Sequence, residues 1–264
     1  MNPAHRQPDS DVRFEWGIAG AAALGGAGIS VVVDVLSFTT TLTVAADLGI
    51  EVLPYRWRDD SAVRFAASRR ATLAVGRSEA TAGAVSLSPN SIRSARGLQR
   101  LVLPSPNGSS MAHALAAAST VCVGAALRNA SAVATWIAER REDRTTVSVI
   151  AAGERWPDGS LRPCVEDLWG AGAVAAELLR LRPELTASVE AEVAVSAWNA
   201  VRDRLDTALS QCASGQELIA AGYRSDVVVA AELDESSVVP VLHGDRFIDA
   251  AARDRVRGVA ARPR

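Results

Sequence analysis

The sequence predicts an α/β fold: a three-layer αβα sandwich around a mostly parallel sheet, followed by a C-terminal helical and small β extension. From residue 29 onward, short β-branched runs alternate with Ala-rich stretches of helical periodicity, which is typical of parallel strands joined by crossover helices. No linker rich in Pro, Gly or Ser divides the 264 residues, and no internal repeat is visible. We therefore expect one α/β domain over residues 1–264.

Each predicted strand is a short apolar run, and these runs lie at 29–35, 51–55, 72–75, 100–104, 120–124 and 145–152. Helical periodicity predicts helices between them, near 38–48, 59–70, 109–118, 129–140 and 165–182. The uncharged stretch 17–33 is rich in Gly and ends at Asp34. It predicts a short turn region followed by a buried strand rather than a membrane span.

The last third of the chain has a different pattern. Residues 184–222 look mostly helical, and three apolar runs then predict strands at 226–233, 237–244 and 246–250. The segment 184–250 is therefore either a subdomain or an edge extension of the main sheet. The Arg-rich tail 251–264 is expected to fray.

Composition argues against several classes of protein. The 28 basic and 30 acidic side chains leave a net charge of −2, so no general positive field attracts nucleic acid or anionic lipid. Every basic residue is Arg, which excludes chemistry that depends on a lysine, such as a Walker P-loop or a Schiff base. We expect neither a nucleic-acid partner nor a membrane partner.

Cysteine usage and the N-terminal sequence indicate the compartment. The three cysteines, Cys122, Cys164 and Cys212, are widely separated and lack the paired spacing of a zinc or redox motif. The opening residues are polar and carry charges of both signs, unlike a signal peptide. We therefore expect structural thiols in a reducing environment and a cytoplasmic location.

Polar residues directly follow the predicted strands, where an open α/β sheet binds its ligands. Asp34 ends a strand otherwise made of Val, and burying an unpaired carboxylate there would be costly. A hard cation such as Mg²⁺ would satisfy Asp34. The alternative is that Asp34 caps the following helix through its N–H groups.

Residues 105–110 follow another strand and place hydroxyls, an amide and a flexible glycine at the start of a helix, namely Ser105, Asn107, Gly108, Ser109 and Ser110. Helix N-termini stabilise oxyanions through backbone N–H groups and the helix dipole. This segment therefore predicts a phosphate or sulfonate site. The alternative is a simple turn, since Asn-Gly is also a common turn signal.

Two further segments contain candidate metal ligands. Glu166 and Asp167 open a helix after an irregular loop and would complete an oxygen-rich Mg²⁺ site if they lay near Asp34. Glu79 with Arg77 offers another carboxylate and an anion clamp. The alternatives are interaction with the helix dipole for the first pair and surface-loop charges for the second.

The order and spacing of several segments resemble the 2-phosphosulfolactate phosphatase family over about residues 29 to 249. These segments are DVLSFTTT, SPNS, LPSPNGSS, GAALRNAS, AAGERW, VEDLWGAG, CASGQELIAAGYRSDV and VVP. The resemblance implies a Mg²⁺-dependent phosphatase acting on (2R)-2-phospho-3-sulfolactate, with sulfolactate as product. In the best-known members this reaction serves coenzyme M biosynthesis.

The positions that match the family's motifs are Asp34, Thr39, Thr40, Thr41, Asn107, Gly108, Asn129, Glu166 and Asp167. We expect Mg²⁺ between Asp34 and the Glu166/Asp167 pair, with Ser105, Asn107 and the amides of residues 108–110 around the phosphoryl oxygens. Arg128 or Arg155 would take the substrate's carboxylate or sulfonate. Whether water or Asp34 attacks phosphorus stays open at this point.

The chain departs from the family where it has Ser37 in place of the usual Arg and Arg77 in place of the usual Glu. These departures leave room for another 2-phosphohydroxy acid as substrate. A second alternative is an anion-binding protein that kept the fold and lost the activity. In either case the expected partner is a small anionic phosphorylated compound, and a homo-oligomer is possible.

Overall fold

The fold is built on a nine-stranded sheet and a separate two-stranded hairpin. The computed structural model describes residues 2–57, 59–81, 83–105, 107–142 and 145–252. Its strands are β1 (Val12–Trp16), β2 (Ile29–Val33), β3 (Glu51–Tyr55), β4 (Thr72–Leu73), β5 (Arg100–Pro104), β6 (Val121–Ala125), β7 (Val147–Ala151), β8 (Glu154–Arg155), β9 (Leu161–Arg162), β10 (Pro240–His243) and β11 (Arg246–Asp249). The large sheet has the order β1-β7-β2-β6-β10-β11-β3-β5-β4, and β8 pairs with β9.

Helices cover both faces of the large sheet. They are α1 (Gly17–Leu24), α2 (Phe38–Asp47), α3 (Asp60–Arg69), α4 (Pro89–Ser94), α5 (Gly108–Ala118), α6 (Ala130–Arg140), α7 (Val165–Leu181), α8 (Val189–Asn199), α9 (Leu205–Gln211), α10 (Ala213–Ala220) and α11 (Arg224–Ala230). Short 3-10 helices add Pro3–Arg6, Arg77–Glu79, Leu127–Asn129 and Arg202–Arg204.

The alternation of side chains along β2 explains the two layers of helices. Val31 and Val33 point into a core shared with α6, α7 and α8, whereas Val32 points into a core shared with α1, α2 and α5. Successive residues of a strand face opposite sides of a sheet, so the consecutive valines of β2 need cover on both sides. The predicted three-layer αβα sandwich is confirmed.

The six early strands lie where the apolar runs predicted them, as β2 to β7. The first strand, β1, was not predicted, and the turn region predicted at the start of 17–33 was wrong, because residues 17–24 form helix α1. The helix has the sequence GIAGAAAL, which contains no polar residue, so the apolar residues show no helical periodicity. Helix α4 was also missed.

The prediction of a strand at 226–233 was wrong, because this segment contains α11. The run of valines favours a strand, but tertiary contacts override that preference. Asp226 in the first turn of α11 is fully buried and accepts hydrogen bonds from Arg77 and Ser88, which belong to other segments. These bonds and the burial of Val227 and Ala230 hold the segment as a helix against the core.

The C-terminal hairpin β10–β11 lies inside the large sheet and not at its edge. It pairs antiparallel with β6 on one side, through Val241 and Val123, and with β3 on the other, through Phe247 and Val52. The strands β1, β7, β2 and β6 form one parallel group, and β3, β5 and β4 form another. The hairpin therefore joins the two parallel groups into one sheet.

The expectation for the tail falls almost wholly outside the described residues, which end at 252. Among the helices that are described, none combines the length and the apolar character needed to cross a membrane.

Candidate active site

A cavity of about 380 Å³ opens at the carboxyl ends of β2, β5 and β7. Asp34 comes directly after β2, Ser105 follows β5, and Glu154 follows β7 closely. The side chains around it combine acids, bases, hydroxyls and apolar groups, and they are Asp34, Leu36, Ser37, Phe38, Thr41, Arg77, Leu87, Leu103, Ser105, Asn107, Glu154 and Arg155. The structure therefore brings residues distant in sequence to one place.

Asp34 is held at the start of α2 and faces the cavity. Its Oδ1 accepts a hydrogen bond of 3.0 Å from the backbone N–H of Phe38, the first residue of α2. Asp34 therefore binds the N-terminus of α2, as the capping alternative predicted, and also lines the cavity. Burial raises the pKa of Asp34 to about 7; the charges of Glu154 and Glu166 also raise it, against lowering by the Phe38 N–H and Arg77. Asp34 is thus a carboxylate that burial and its neighbours make costly to ionise.

Asp167 joins the ends of two neighbouring strands. Its Oδ1 accepts a hydrogen bond of 2.7 Å from the N–H of Val35, after β2, and its Oδ2 accepts one of 2.8 Å from the N–H of Gly153, after β7. Burial, and then the charges of Asp34 and Glu166, hold the pKa of Asp167 well above its usual range. Both oxygens already have backbone donors, so the role best supported for Asp167 is to position the strand ends.

Glu166 is buried beside two thiols and does not line the cavity. Burial and the charge of Glu166 raise the pKa of Cys212 to about 12, and burial with the same charge also raises the pKa of Cys164. All three cysteines are free and buried. Protonated, buried thiols are poor nucleophiles, which agrees with the structural role predicted for them.

In the segment after β5, two backbone N–H groups donate hydrogen bonds to Ser105 of the same segment. The N–H of Gly108 donates to Ser105 Oγ and the N–H of Ser109 donates to the Ser105 carbonyl, so neither amide is directed at the cavity. A Cβ at Gly108 would lie 2.4 Å from Phe38, so glycine allows the first turns of α5 and α2 to approach each other. From this segment the side chains of Ser105 and Asn107 line the cavity.

Glu154 is a site residue that the sequence did not single out. It is half-buried, lines the cavity, and accepts a hydrogen bond of 2.7 Å from Asn107 Nδ2. A signal was present in the sequence, because Glu154 comes three positions after β7 and Asp34 comes directly after β2, so both carboxylates lie near the carboxyl end of a strand. The next residue, Arg155, was predicted to bind substrate, and it also lines the cavity.

Arg77, the first residue of the 3-10 helix Arg77–Glu79, brings a positive charge to the cavity. Its Nη2 donates to Ser37 Oγ at 2.5 Å, and its Nε pairs with Asp226 Oδ2 at 2.7 Å. Because Asp226 is buried, much of the charge of Arg77 is neutralised within the protein. Arg77 therefore occupies the neighbourhood of Ser37, the position where the resemblance led us to expect an arginine.

Several predicted site residues lie outside the lining. Glu79 is exposed and accepts a hydrogen bond from the N–H of Gly76, so the structure places this candidate metal ligand away from the cavity. Thr39 and Thr40 are buried, and their hydroxyls donate to the carbonyls of Asp34 and Val35. These threonines fix α2 to the end of β2.

The remaining predicted residues are also engaged elsewhere. Arg128 is buried and pairs with Asp47 and Glu232. Asn129 donates to the carbonyl of Val238 and so ties the end of β6 to the segment before β10. Ser109 and Ser110 are buried, and neither lines the cavity. None of these side chains is placed to touch a ligand in the cavity.

The carboxylates fit a hard divalent cation, although not with the ligand set expected from the sequence. Among the described residues, no three His, Cys, Asp or Glu side chains form a group able to hold a metal ion by themselves. Mg²⁺ commonly keeps several waters and binds through one or two carboxylates together with substrate phosphate oxygens. Asp34 and Glu154 both face the cavity, and a cation bound there would relieve the repulsion between their charges.

The raised pKa of Asp34 predicts how stability depends on pH in metal-free protein. In the unfolded chain the carboxyl titrates near 3.8, and in the folded chain near 7. The contribution of Asp34 to the free energy of unfolding is therefore greatest below about pH 4. It falls as the pH rises toward 7 and does not change further above about pH 7. Asp167 acts in the same direction.

We expect the free energy of unfolding to fall less steeply between about pH 4 and pH 7 in Asp34→Asn than in wild type. The measurement is a denaturant titration in chelator at a series of pH values. Equal slopes in the two proteins would contradict the assignment of the shift to Asp34.

The family model described as 2-phosphosulpholactate phosphatase matches residues 21–245. A curated relative from Thermus thermophilus, named "Probable 2-phosphosulfolactate phosphatase", is 32% identical over 219 residues, which cover 82% of this chain and 88% of the relative. The match spans β2, β5 and β7 and the cavity at their carboxyl ends. The chain therefore belongs to the 2-phosphosulfolactate phosphatase family and is a phosphatase, a phosphoric monoester hydrolase.

Proposed function

We propose that the chain is a Mg²⁺-dependent phosphatase that hydrolyses the phosphate monoester of a 2-hydroxy acid, with (2R)-2-phospho-3-sulfolactate as substrate and 3-sulfolactate and phosphate as products. The observation that carries the proposal is Asp34. It is buried, has a pKa raised to about 7, and faces a cavity that also holds polar and cationic side chains. The name of the Thermus thermophilus relative supports this choice of ester.

Asp34 and Glu154 are the residues that would hold the cation, because they are the carboxylates that face the cavity. Bound there, Mg²⁺ would neutralise phosphoryl oxygens and lower the pKa of a coordinated water. Glu166 and Asp167 lie outside the lining, and the charge of Glu166, which disfavours ionisation of Asp34, favours the binding of a cation there. This assignment replaces Glu166, Asp167 and Glu79 as direct ligands.

The other polar side chains bind and orient the ester. Ser105 and Asn107 offer a hydroxyl and an amide to the phosphoryl oxygens, and the hydrogen bond from Asn107 to Glu154 fixes both side chains relative to each other. Arg155 is exposed at the cavity and offers a guanidinium for the substrate's carboxylate. In the overall reaction one water is consumed and the ester oxygen leaves as the hydroxyl of the product.

The test is phosphate release from a panel of 2-phosphohydroxy acids, with Mg²⁺ and with a chelator. We expect release from 2-phosphosulfolactate with Mg²⁺, near-complete loss with chelator, and recovery when Mg²⁺ is restored. Phosphoserine, which carries its phosphate on carbon 3, is the matched control for the position of the ester and should be a poor substrate. A metal-dependent rise in melting temperature without any phosphate release would instead favour an anion-binding protein that has lost the activity.

A further inference from the structure

A second cavity of about 410 Å³ adjoins the first, and three residues line both: Asn107, Glu154 and Arg155. The rest of its lining is apolar and comes mainly from α1, α5 and the β8–β9 hairpin. We call this second cavity the apolar chamber, and its characteristic side chains are Trp16, Ile18, Ala19, Ala22, Met111 and Leu161. The phosphatase site thus continues into a space that 2-phosphosulfolactate, with three anionic groups, is poorly suited to fill.

The charges around the first cavity also favour a substrate with fewer than three anionic groups. Among the described side chains that line it, the cations are Arg77 and Arg155, and Arg77 already pairs with buried Asp226. A substrate with a phosphate, a carboxylate and a sulfonate would leave one anion without a side-chain cation of its own. An ester with an uncharged substituent in place of the sulfonate does not need this additional cation.

We propose that this chain hydrolyses a further class of substrates: phosphate monoesters of 2-hydroxy acids that carry an aromatic or branched aliphatic group on carbon 3, with this group in the apolar chamber. The proposal rests on the proposed phosphatase function and extends it to a substrate class. The phosphorus–oxygen ester bond breaks, water supplies the new oxygen on phosphorus and a proton to the leaving oxygen, and the products are the 2-hydroxy acid and phosphate.

The shared residues explain how one ester would engage both cavities. Asn107 and Glu154, joined by their hydrogen bond, form the boundary between the cavities, so the phosphoryl group lies on the Asp34 side of this pair. Arg155 lines both cavities and would hold the carboxylate at the boundary. The substituent on carbon 3 then extends into the chamber, where its apolar surface is removed from water.

The test compares kcat/KM for 2-phospho-3-phenyllactate and for 2-phosphosulfolactate, at fixed Mg²⁺, in wild type and in chamber-filling variants. Ala19 and Ala22 are exposed, lie three residues apart on α1, and both line the chamber, so Ala19→Leu and Ala22→Leu fill it without disturbing the core. Ala23→Leu is the matched control on the same helix, because Ala23 does not line the chamber.

We expect wild type to hydrolyse the phenyl ester, and both chamber variants to lower its kcat/KM relative to that of 2-phosphosulfolactate at least about tenfold. Ala23→Leu should leave this ratio as in wild type. The inference is overturned, with the proposed function intact, if wild type hydrolyses 2-phosphosulfolactate but not the phenyl ester, or if the chamber variants do not change the ratio. Absence of phosphate release from every ester would overturn the proposed function and the inference with it.

Discussion

Asp34→Asn is expected to reduce phosphate release about 10²- to 10³-fold, the usual cost of removing one preorganised electrostatic group from an active site. The asparagine keeps a side-chain oxygen for the N–H of Phe38, so the start of α2 is preserved while the negative charge that would hold the cation is lost. The measurement is kcat for 2-phosphosulfolactate at saturating Mg²⁺, with circular dichroism and the melting temperature as evidence of an intact fold.

Glu79→Gln is the control for this change. Glu79 was a candidate metal ligand by sequence, but it is exposed and outside the lining of the cavity, so its variant should retain wild-type turnover. Near-normal turnover in Asp34→Asn, or an equal loss in both variants, would refute the assignment of Asp34 to the active site.

Asp167→Ala is expected to lower the free energy of unfolding by about 2–4 kcal/mol, because it leaves two buried backbone N–H groups, those of Val35 and Gly153, without an acceptor. The removal of a buried carboxyl group offsets part of this loss. The strand ends that carry Asp34 and Glu154 should also lose their fixed spacing, so kcat should fall as well. The free energy of unfolding is measured by denaturant titration at about pH 6. A chelator is present because a bound cation would otherwise add to the stability of the folded state.

Two variants make this result specific. Asp203→Ala removes a carboxylate whose side chain is 90% exposed, and it should change the free energy of unfolding by less than about 0.5 kcal/mol. Asp167→Asn retains one acceptor oxygen and should fall between wild type and Asp167→Ala. A free energy of unfolding for Asp167→Ala within error of that for Asp203→Ala would show that the two N–H groups do not depend on this carboxylate.

The fold could be predicted wherever the apolar pattern is unambiguous. The strand ISVVV is buried on both faces, and its composition favours a central parallel strand, which β2 is. The helix GIAGAAAL lacks a polar face, and the VVV run at 227–229 favours a strand although it forms part of α11, so pattern alone could not assign either segment. The position of the β10–β11 hairpin depends on pairing between distant segments, which no local pattern encodes.

The candidate site could be predicted as a location more easily than as a set of contacts. The rule that ligands bind at the carboxyl ends of parallel strands selected Asp34, Ser105, Asn107 and Arg155, and these four residues line the cavity. It also selected Arg128 and Asn129, which follow β6 but are used in contacts with other segments of the fold. Sequence shows which residues follow a strand, but the direction of each side chain is set by contacts that only the fold supplies.

The interior position of the β10–β11 hairpin has a consequence for how the molecule is made. The two parallel groups are completed by residues 12–151, but the segment that joins them, 240–249, is synthesised about ninety residues later. Until then, β6 and β3 are unprotected sheet edges that can pair with another chain. Formation of the native sheet therefore requires pairing between segments that are distant in sequence, which slows folding and leaves these two edges open for longer.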